Sequence, residues 1–262
     1  MSTRHQPWPS GSPAWVDLAV PDLERAKAFY GPLFGWEFEV GSAETGYYTQ
    51  CLRNGERAAA IGSAMPGDDS PPTWTTYLAA ADVNADVARV EGNGGTVLLQ
   101  PMPVMEFGSM AIVADATGAV VGLWQSGTHT GWTIVDEPGS VVWTEQVSHS
   151  LRAARTFYEA VFGYTYTEMD DVGLPFVTFE VDGETRGGLG EITPEMAGTT
   201  PSWLTYFGVA DTDAAVEHVT ANGGTLEEAA QDTPYGRLAL VRGPFGERFA
   251  VMAEPTGPVE PE

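Results

Sequence analysis

Residues 15–36 of the chain read WVDLAVPDLERAKAFYGPLFGW, and residues 143–164 read WTEQVSHSLRAARTFYEAVFGY. The shared Trp, Leu, Ala, Phe-Tyr and Phe-Gly letters keep an offset of 128 residues, since Trp15 matches Trp143. A second pair of similar stretches begins at Trp74 (WTTYLAAADVNADVARVEGNGGTV) and at Trp203 (WLTYFGVADTDAAVEHVTANGGTL), with an offset of 129 residues. Because solenoid repeats are only about 20–50 residues long, this period predicts two copies of a whole small domain.

The same order of elements occurs twice within each copy. Asp22 precedes apolar residues at helical spacing, and Gly35 ends that helix. Asp82 precedes a second helix, which ends at a Gly-Gly pair. Extended runs flank both helices, and the second copy matches with helices at 150–162 and 212–221. The chain is therefore predicted to be an α+β protein of four βαβββ units, two in each domain.

The repeat also sets the predicted domain boundaries. We expect a first domain at 13–126 and a second domain at 141–254, joined by a linker at 127–140 that is rich in Gly, Ser and Pro. Residues 1–12 and 255–262 are rich in Pro, Ser, Gly or Glu, and we expect them to be disordered tails.

Composition excludes several classes of function. The 262 residues include 12 Lys and Arg against 36 Asp and Glu, a net charge of -24, which repels nucleic-acid phosphates. This acidity fits solubility, and the alternative is a cationic ligand or partner. The single cysteine, Cys51, lies in an apolar run and is interpreted as a core residue. Without an apolar stretch for a bilayer or a hydrophobic leader, the chain is expected to be cytoplasmic, with no membrane partner.

The repeated stretches resemble the vicinal oxygen chelate superfamily, which contains glyoxalase I, bleomycin-resistance proteins and extradiol dioxygenases. The resemblance rests on VPDLERAKAFYGPLFGW, ADVNADVARVEGNGG and DATGAVVGLW in the first copy, and on SLRAARTFYEAVFGY, ADTDAAVEHVTANGG and GPFGERFAVM in the second. The tandem arrangement is most similar to two-domain members labelled glyoxalases or hydroxylases. The resemblance implies that each domain is a U-shaped mixed sheet with two helices outside, whose concave face holds the ligand.

The resemblance also implies metal ligands, and this chain departs from that pattern. Metal-using members place His, Gln or Glu on three strands of a domain. Counting from the helix caps and the Asp-x-x-Gly-like turn, the six corresponding positions hold Trp15, Thr75, Gly122, Trp143, Leu204 and Ala250. None offers a carboxylate or imidazole, and a divalent site needs several such ligands together. We therefore predict no metal and no other cofactor.

The concave faces can be assigned because side chains alternate along a strand with period two. The predicted ligand-binding residues are Trp15, Thr75, Tyr77 and Trp124 in the first domain, and Trp143, Leu204, Tyr206 and Met252 in the second. Asp17 and Glu145 share these faces and are the candidate catalytic residues. Tyr47 or Tyr48, and Phe176 or Thr178, add to the faces from a third strand.

Two interpretations of these faces stay open. The aromatic side chains either fill the concavity as core or line a pocket for a planar molecule. A desolvated carboxyl group has a raised pKa and suits a general base, whereas a structural carboxylate would pair with a backbone N–H or an arginine. The candidate arginine partners are Arg53, Arg57, Arg186 and Arg237.

The sequence favours a metal-independent protein that binds a small organic molecule, with acid–base lyase or isomerase chemistry in secondary metabolism. The alternative is non-catalytic sequestration of an antibiotic, and a third hypothesis is a protein-interaction scaffold. We expect a monomer with internal pseudo-twofold symmetry to suffice, although a homodimer remains compatible with the sequence.

Overall fold

A computed structural model describes residues 2–64, 67, 70–170, 173–196 and 198–255. The helices are α1 (Leu23–Phe34), α2 (Val83–Gly92), α3 (Leu151–Phe162) and α4 (Thr212–Ala221). The strands before and within the first copy are β1 (Ser2–Thr3), β2 (Pro13–Val20), β3 (Glu37–Val40), β4 (Thr49–Arg53), β5 (Glu56–Ser63), β6 (Trp74–Ala79), β7 (Thr96–Val104), β8 (Gly108–Ala114) and β9 (Val120–Ser126). The remaining strands are β10 (Ile134–Val135), β11 (Val141–Ser148), β12 (Thr165–Glu168), β13 (Phe176–Val181), β14 (Glu184–Glu191), β15 (Ser202–Gly208), β16 (Thr225–Thr233), β17 (Gly236–Arg242) and β18 (Arg248–Ala253). Short 3-10 turns lie at Ala43–Thr45 and Pro194–Met196.

The helix ends follow the capping signals in the sequence. The carboxylate of Asp22 accepts a hydrogen bond from the backbone N–H of Arg25 at the start of α1, and Ser150 does the same for Ala153 at α3. Gly35 ends α1 with φ of 65°, in the left-handed region that glycine adopts without strain.

Each copy folds into one eight-stranded mixed sheet, as predicted. The first sheet has the order β3-β4-β5-β2-β6-β9-β8-β7, and the second has the matching order β12-β13-β14-β11-β15-β18-β17-β16. The central strands β2 and β6 are antiparallel, whereas β2–β5 and β6–β9 are parallel. The α+β architecture of two tandem domains, each of two βαβββ units, is confirmed.

The two larger hydrophobic cores are shared between the copies rather than confined to one copy each. One core combines α1 residues such as Phe34 with Phe207 and Phe249 of the second copy. The other combines α2 residues such as Val87 with Phe157 of α3. Helix α1 contacts α4, and α2 contacts α3. The helices therefore lie on the faces of the two sheets that meet, opposite the predicted concave faces.

A buried tyrosine marks each of these two junctions. Tyr158 donates to the Asp115 carboxylate at 2.9 Å, and Gln146 donates to the same oxygen at 3.0 Å. At the pseudo-equivalent junction, Tyr30 donates to Glu247 at 2.5 Å. Asp115 and Glu247 are not aligned in the repeat, because Gly243 occupies the position of Asp115 with an offset of 128. Glu247, four residues after Gly243, thus accepts the tyrosine hydrogen bond that Asp115 accepts at the other junction.

The N-terminal segment corrects one sequence expectation. Residues 1–12 were predicted to be a disordered tail, but β1 pairs with β10 of the linker, and Ser12 is fully buried. Gly11 accepts a hydrogen bond from Tyr164, just as Gly139 accepts one from Trp36. The repeat therefore includes the residues just before β2 and just before β11. The high glycine and proline content of these segments hid their similarity in the sequence. Of the predicted tail at 255–262, only residue 255 belongs to the described part of the chain.

None of the helices in the described ranges combines the length and the apolar character needed to cross a bilayer.

Candidate functional site

The first concave face, here called the first cup, centres on Trp15, Asp17, Tyr48, Tyr77 and Trp124. Trp15 pairs with Tyr77 across β2 and β6, and the neighbouring β9 carries Trp124. These three aromatic side chains are less than one-tenth exposed. Thr75 pairs with Asp17 in the same register and is half-buried. The structure thus brings the predicted residues of the first copy onto one face.

Tyrosines, not arginines, hold the Asp17 carboxylate. The Tyr48 and Tyr77 hydroxyls donate to it at 3.0 and 3.2 Å, and the Trp15 indole N–H donates to the Tyr48 hydroxyl at 2.9 Å. Burial raises the pKa of Asp17 from 3.8 to about 6, and the two tyrosine hydrogen bonds oppose the rise. The Asp17 carboxyl group therefore changes its protonation state near pH 6.

The linker packs against the first cup. The His129 ring lies edge-on to Trp15 with centroids 4.5 Å apart, and 5.6 Å from Trp124. The Trp124 indole N–H donates to the backbone carbonyl of His129 at 2.8 Å. Burial, with the nearby Arg57, lowers the pKa of His129 to about 4, so the imidazole is neutral. A side chain from outside the repeat thus completes the aromatic lining.

The second cup is built from Trp143, Glu145, Leu204, Tyr206 and Met252. Trp143 pairs with Tyr206, and Glu145 pairs with Leu204, across β11 and β15. Leu204 is buried and packs with Leu240 and Ala250 as an apolar floor. The other four residues are half-buried, in contrast to their aromatic counterparts in the first cup.

Glu145 is the counterpart of Asp17. The Tyr206 hydroxyl donates to its carboxylate at 2.9 Å. Burial raises the pKa of Glu145, while hydrogen bonds from Tyr206 and Trp143 and the charge of Arg248 oppose the rise. Because burial also raises the pKa of Tyr206 well above its usual value, this hydroxyl stays protonated as a donor.

None of the four arginines considered as carboxylate partners is bonded to Asp17 or Glu145. Arg53 donates to the backbone oxygens of Gly35 and Pro138. Arg57 contacts Thr130, Arg186 pairs with Glu184, and Arg237 pairs with Asp213 and Asp232. The cation near the second cup is Arg248, which the sequence interpretation missed. Its strand register was readable, since it precedes Ala250 and Met252 by two and four positions on the same face.

Three other contributors needed the structure, namely Tyr48, His129 and Phe176. The sequence left Tyr47 and Tyr48 as alternatives, because the strand there was expected to start earlier. Tyr47 has a positive φ of 60° and lies before β4, so Tyr48 is the residue that reaches Asp17. His129 carried no signal, because linker contacts are not periodic. In the second copy, Phe176 lies over Gly188, which pairs with Glu145.

The residues at the six positions where metal-using members of the superfamily carry their ligands do not fit a divalent ion. The Trp15 indole has an N–H donor and no lone pair to offer. A side chain at Gly122 would overlap the Tyr77 ring, so this position cannot hold a carboxylate in the present packing. Leu204 and Ala250 carry only hydrocarbon. Across the described ranges, no group of three or more His, Cys, Asp or Glu is arranged to hold a metal.

Comparisons with known proteins agree with this architecture. The family model described as Glyoxalase/Bleomycin resistance protein/Dioxygenase superfamily matches twice, at residues 12–152 and 140–251. "Putative glyoxylase CFP32" of Mycobacterium tuberculosis is 38% identical over 248 residues, covering 92% of this chain and 94% of that protein. "Anthracycline biosynthesis protein DnrV" of Streptomyces peucetius is 35% identical over 256 residues, covering 92% and 93%.

Solved structures share the fold at low sequence identity. The Mn(II)-bound glyoxalase from Novosphingobium aromaticivorans has a TM-score of 0.65 and 14% identity, covering 94% of this chain and 83% of that one. The 2,3-dioxygenase LapB from Pseudomonas sp. KL28 has a TM-score of 0.64 and 14% identity, covering 99% and 98%. With the double family match, and with relatives above 30% identity along nearly the whole chain, the protein belongs to the glyoxalase/bleomycin resistance protein/dioxygenase superfamily.

Proposed function

We propose that the chain binds a small planar organic molecule in the second cup without a divalent metal, and that Glu145 acts there as an acid–base group in lyase or isomerase chemistry. The observation that carries this proposal is a desolvated carboxyl group, bonded to Tyr206, in a half-buried cup with an apolar floor. Such a group combines access for a ligand with a pKa shifted toward neutrality, which favours a general base.

The difference in exposure favours the second cup over the first. In the first cup, Trp15, Tyr77 and Trp124 are buried and His129 packs against two of them. A ligand would have to displace these rings and the linker. In the second cup, Trp143 and Tyr206 are half-buried, so a planar ligand can reach them without such a rearrangement.

The proposed chemistry needs only residues of the chain. The Trp143 indole would stack on a planar ligand, and the Leu204 floor would exclude water from its edge. Glu145 would then take a proton from a carbon next to a carbonyl group and return it at another position. Tyr206, which donates to Glu145, would hold the carboxylate in place. No step in this scheme requires an oxidant or a metal-bound oxygen.

The relatives suggest a class of ligand. One relative is named for anthracycline biosynthesis, and anthracyclines contain fused aromatic rings with ketone groups. A polycyclic aromatic ketone matches an aromatic wall beside a base. Sequestration of such a compound without turnover is the second candidate, and the net charge of -24 favours it for a cationic drug. The cores that the two copies share also lead us to propose that a monomer suffices for ligand binding. We propose a cytoplasmic location on the basis of the sequence.

Two probes separate the candidates. Quinizarin, a dihydroxyanthraquinone, is titrated while tryptophan fluorescence is followed, and the exchange of the α-protons of α-tetralone in D2O is followed by NMR after EDTA treatment. Catalysis predicts saturable quinizarin binding and protein-dependent exchange, and Glu145→Gln should slow the exchange by about 100-fold or more while binding persists. Asp17→Asn is the matched control and should keep both.

Each contrary outcome has a defined meaning. Quinizarin binding without exchange supports sequestration. Exchange that is abolished by EDTA and restored by a transition metal contradicts metal independence. Loss of both activities in Asp17→Asn, with Glu145→Gln unaffected, would place the site in the first cup.

A further inference from the structure

Three residues form a row across the floor of the second cup, one on each of three adjacent strands. Glu145 on β11 pairs with Leu204 on β15. On β18, the next strand of the sheet, Ala250 pairs with Tyr206. Two residues earlier on both strands, Arg248 comes level with Leu204, and it shares the face of Ala250 because side chains two apart on a strand lie on the same side. A carboxyl group and a guanidinium therefore flank an apolar residue on one face of the sheet.

The spacing of this row suits one small planar molecule. Adjacent strands lie about 4.8 Å apart, so the backbones of Glu145 and Arg248 are separated by roughly 10 Å. The positive charge of Arg248 opposes the burial that raises the pKa of Glu145 and of Tyr206. This agrees with a guanidinium on the cup side of the sheet. A ring that lies over Leu204 would have the carboxyl group on one side and the guanidinium on the other.

The guanidinium of Arg248 is anchored at one nitrogen only. Its Nε lies 2.7 Å from one carboxylate oxygen of Glu227, and Arg242 lies 2.8 Å from the other oxygen. The side chain of Arg248 is 17% exposed, and its buried nitrogen is Nε. Among the described residues, no hydrogen bond engages its terminal nitrogens Nη1 and Nη2, and these two are not fully buried. Glu227 therefore orients the group while the terminal N–H donors stay available to a ligand.

The first copy shows that the fold does not require a cation at this place. With the offset of 128, Arg248 corresponds to Val120, which is 45% exposed. The matching row in the first cup is Asp17, Thr75 and Val120. Basic residues are scarce in this chain, with 12 Lys and Arg against 36 Asp and Glu. A basic side chain that folding does not require, across from a carboxyl group, points to a ligand.

We propose that Arg248 binds an oxygen atom of the ligand that becomes negatively charged, so that the second cup selects ketones with an acidic C–H group next to the carbonyl. The proposal rests on the proposed function. Glu145 takes the proton from carbon, and the electron pair of the broken C–H bond moves into the carbonyl group and makes an enolate oxygen beside Arg248. Glu145 then returns the proton to another carbon conjugated with the enolate.

The electrostatic logic is a transfer of charge across the row. Before the step, the negative charge is on Glu145, and after it the charge is on the ligand oxygen. A guanidinium already held in place by Glu227 meets the charge where it develops and needs no reorganisation, which stabilises the transition state. The scheme balances without an oxidant, because the proton and the electron pair both stay within the cup.

The first test measures binding and needs no turnover. The probes are 2-naphthoate, an anion, and 2-naphthamide, a neutral molecule of nearly the same shape. Glu145→Gln serves as the background, because glutamine resembles the protonated carboxyl group that is present when the ligand carries the charge. By calorimetry, 2-naphthoate should bind Glu145→Gln at least about tenfold more tightly than the double variant Glu145→Gln with Arg248→Gln. The affinity for 2-naphthamide should differ by no more than about threefold.

Two further variants control this comparison. Arg237 lies on the neighbouring strand β17 and pairs with Asp213 and Asp232. In the Glu145→Gln background, Arg237→Gln should therefore leave the affinity for 2-naphthoate unchanged. Arg248→Lys keeps the charge without the planar fork, so it should keep a preference for 2-naphthoate over 2-naphthamide at lower affinity. Circular dichroism checks that each variant is folded.

The second test measures catalysis with the exchange of the α-protons of α-tetralone. Arg248→Gln should lower kcat by about 100-fold and change KM by less than about threefold, because the charge on the oxygen forms mainly in the transition state. No exchange by the unmodified chain would contradict the proposed function. The naphthoate result would still support or overturn the binding of an anionic oxygen by Arg248.

Three outcomes would overturn the proposal. Equal affinity of 2-naphthoate for Glu145→Gln and for the double variant would show that Arg248 does not bind the anion. An equal loss for 2-naphthoate and 2-naphthamide would show that Arg248 only shapes the cup. Exchange at the unmodified rate in Arg248→Gln would assign the stabilisation of the enolate to another group.

Discussion

The two cups derive from one repeated pattern but differ in what completes them. The first cup has Trp15 buried against His129 of the linker, and its Asp17 accepts two tyrosine hydroxyls. The second cup has Trp143 half-buried, and its Glu145 has one tyrosine donor. A duplicated domain can thus keep a carboxylate, a tryptophan and a tyrosine at matching positions while only one copy stays accessible. Matching residues in a repeat do not imply matching roles.

The largest expected difference between the cups is in stability. Trp15→Ala should lower the free energy of unfolding by about 3–5 kcal/mol, because it removes a buried indole and the support of Tyr48. Trp143→Ala should lower it by only about 1–2 kcal/mol, because its indole is half-buried. Urea unfolding of both variants measures this contrast. Equal losses would mean that both cups are packed core.

The pH dependence of stability should show two opposing contributions in the first cup. Because the pKa of Asp17 is raised from 3.8 to about 6, the folded state holds its proton more tightly, and stability falls as the pH rises between these values. The pKa of His129 is lowered from 6.5 to about 4, so the unfolded state binds that proton more tightly and stability rises over nearly the same range. Each amounts to about 3 kcal/mol.

Substitutions should separate these two contributions. In Asp17→Asn, stability should rise with increasing pH between about pH 4 and 6, and more steeply than in the unmodified chain. In His129→Gln, stability should fall with increasing pH over the same range. Urea unfolding at several pH values measures both slopes. Asp213→Asn is a control, because Asp213 lies on the surface beside Arg237. Slopes of the same sign in the two variants would contradict the assignment.

A smaller difference is expected at the helix junctions. Asp115→Asn should lower the free energy of unfolding by about 2–3 kcal/mol, because an amide nitrogen would then face the donors Gln146 and Tyr158. Glu247→Gln should cost only about 1–2 kcal/mol, since burial already raises the pKa of Glu247 and favours its neutral form. Thermal and urea unfolding compare the two. A larger loss for Glu247→Gln would reverse the comparison.

The fold was predictable because it depends on patterns that a single sequence shows. The 128-residue offset identified two domains, Asp22 and Gly35 marked the ends of a helix, and period two placed Trp15 and Tyr77 on one face. Each of these features depends either on residues close together in the sequence or on the internal repeat. Such features can be recognised without knowing which distant segments of the chain come into contact. The roles of the site residues remain predictions.

The rest depended on contacts between distant segments. The packing of His129 against the first cup and the exchange of Asp115 for Glu247 leave no periodic signal. The pairing of the N-terminal segment with the linker was hidden because each piece looks like a loop when taken alone. Helix α1 shares one core with α4, and α2 shares the other with α3. These helix pairs could be identified only from the three-dimensional structure.

That sharing of the cores makes the two halves mutually dependent for folding. Neither half, if separated at the linker, would cover its helices, and Phe34 and Phe249 would each lose a partner on the opposite half. The two domains should therefore unfold in a single transition instead of two. The same geometry permits a swapped dimer, in which the first half of one molecule completes the core of the second half of another. The short pairing of β1 with β10 holds the N-terminus against the linker.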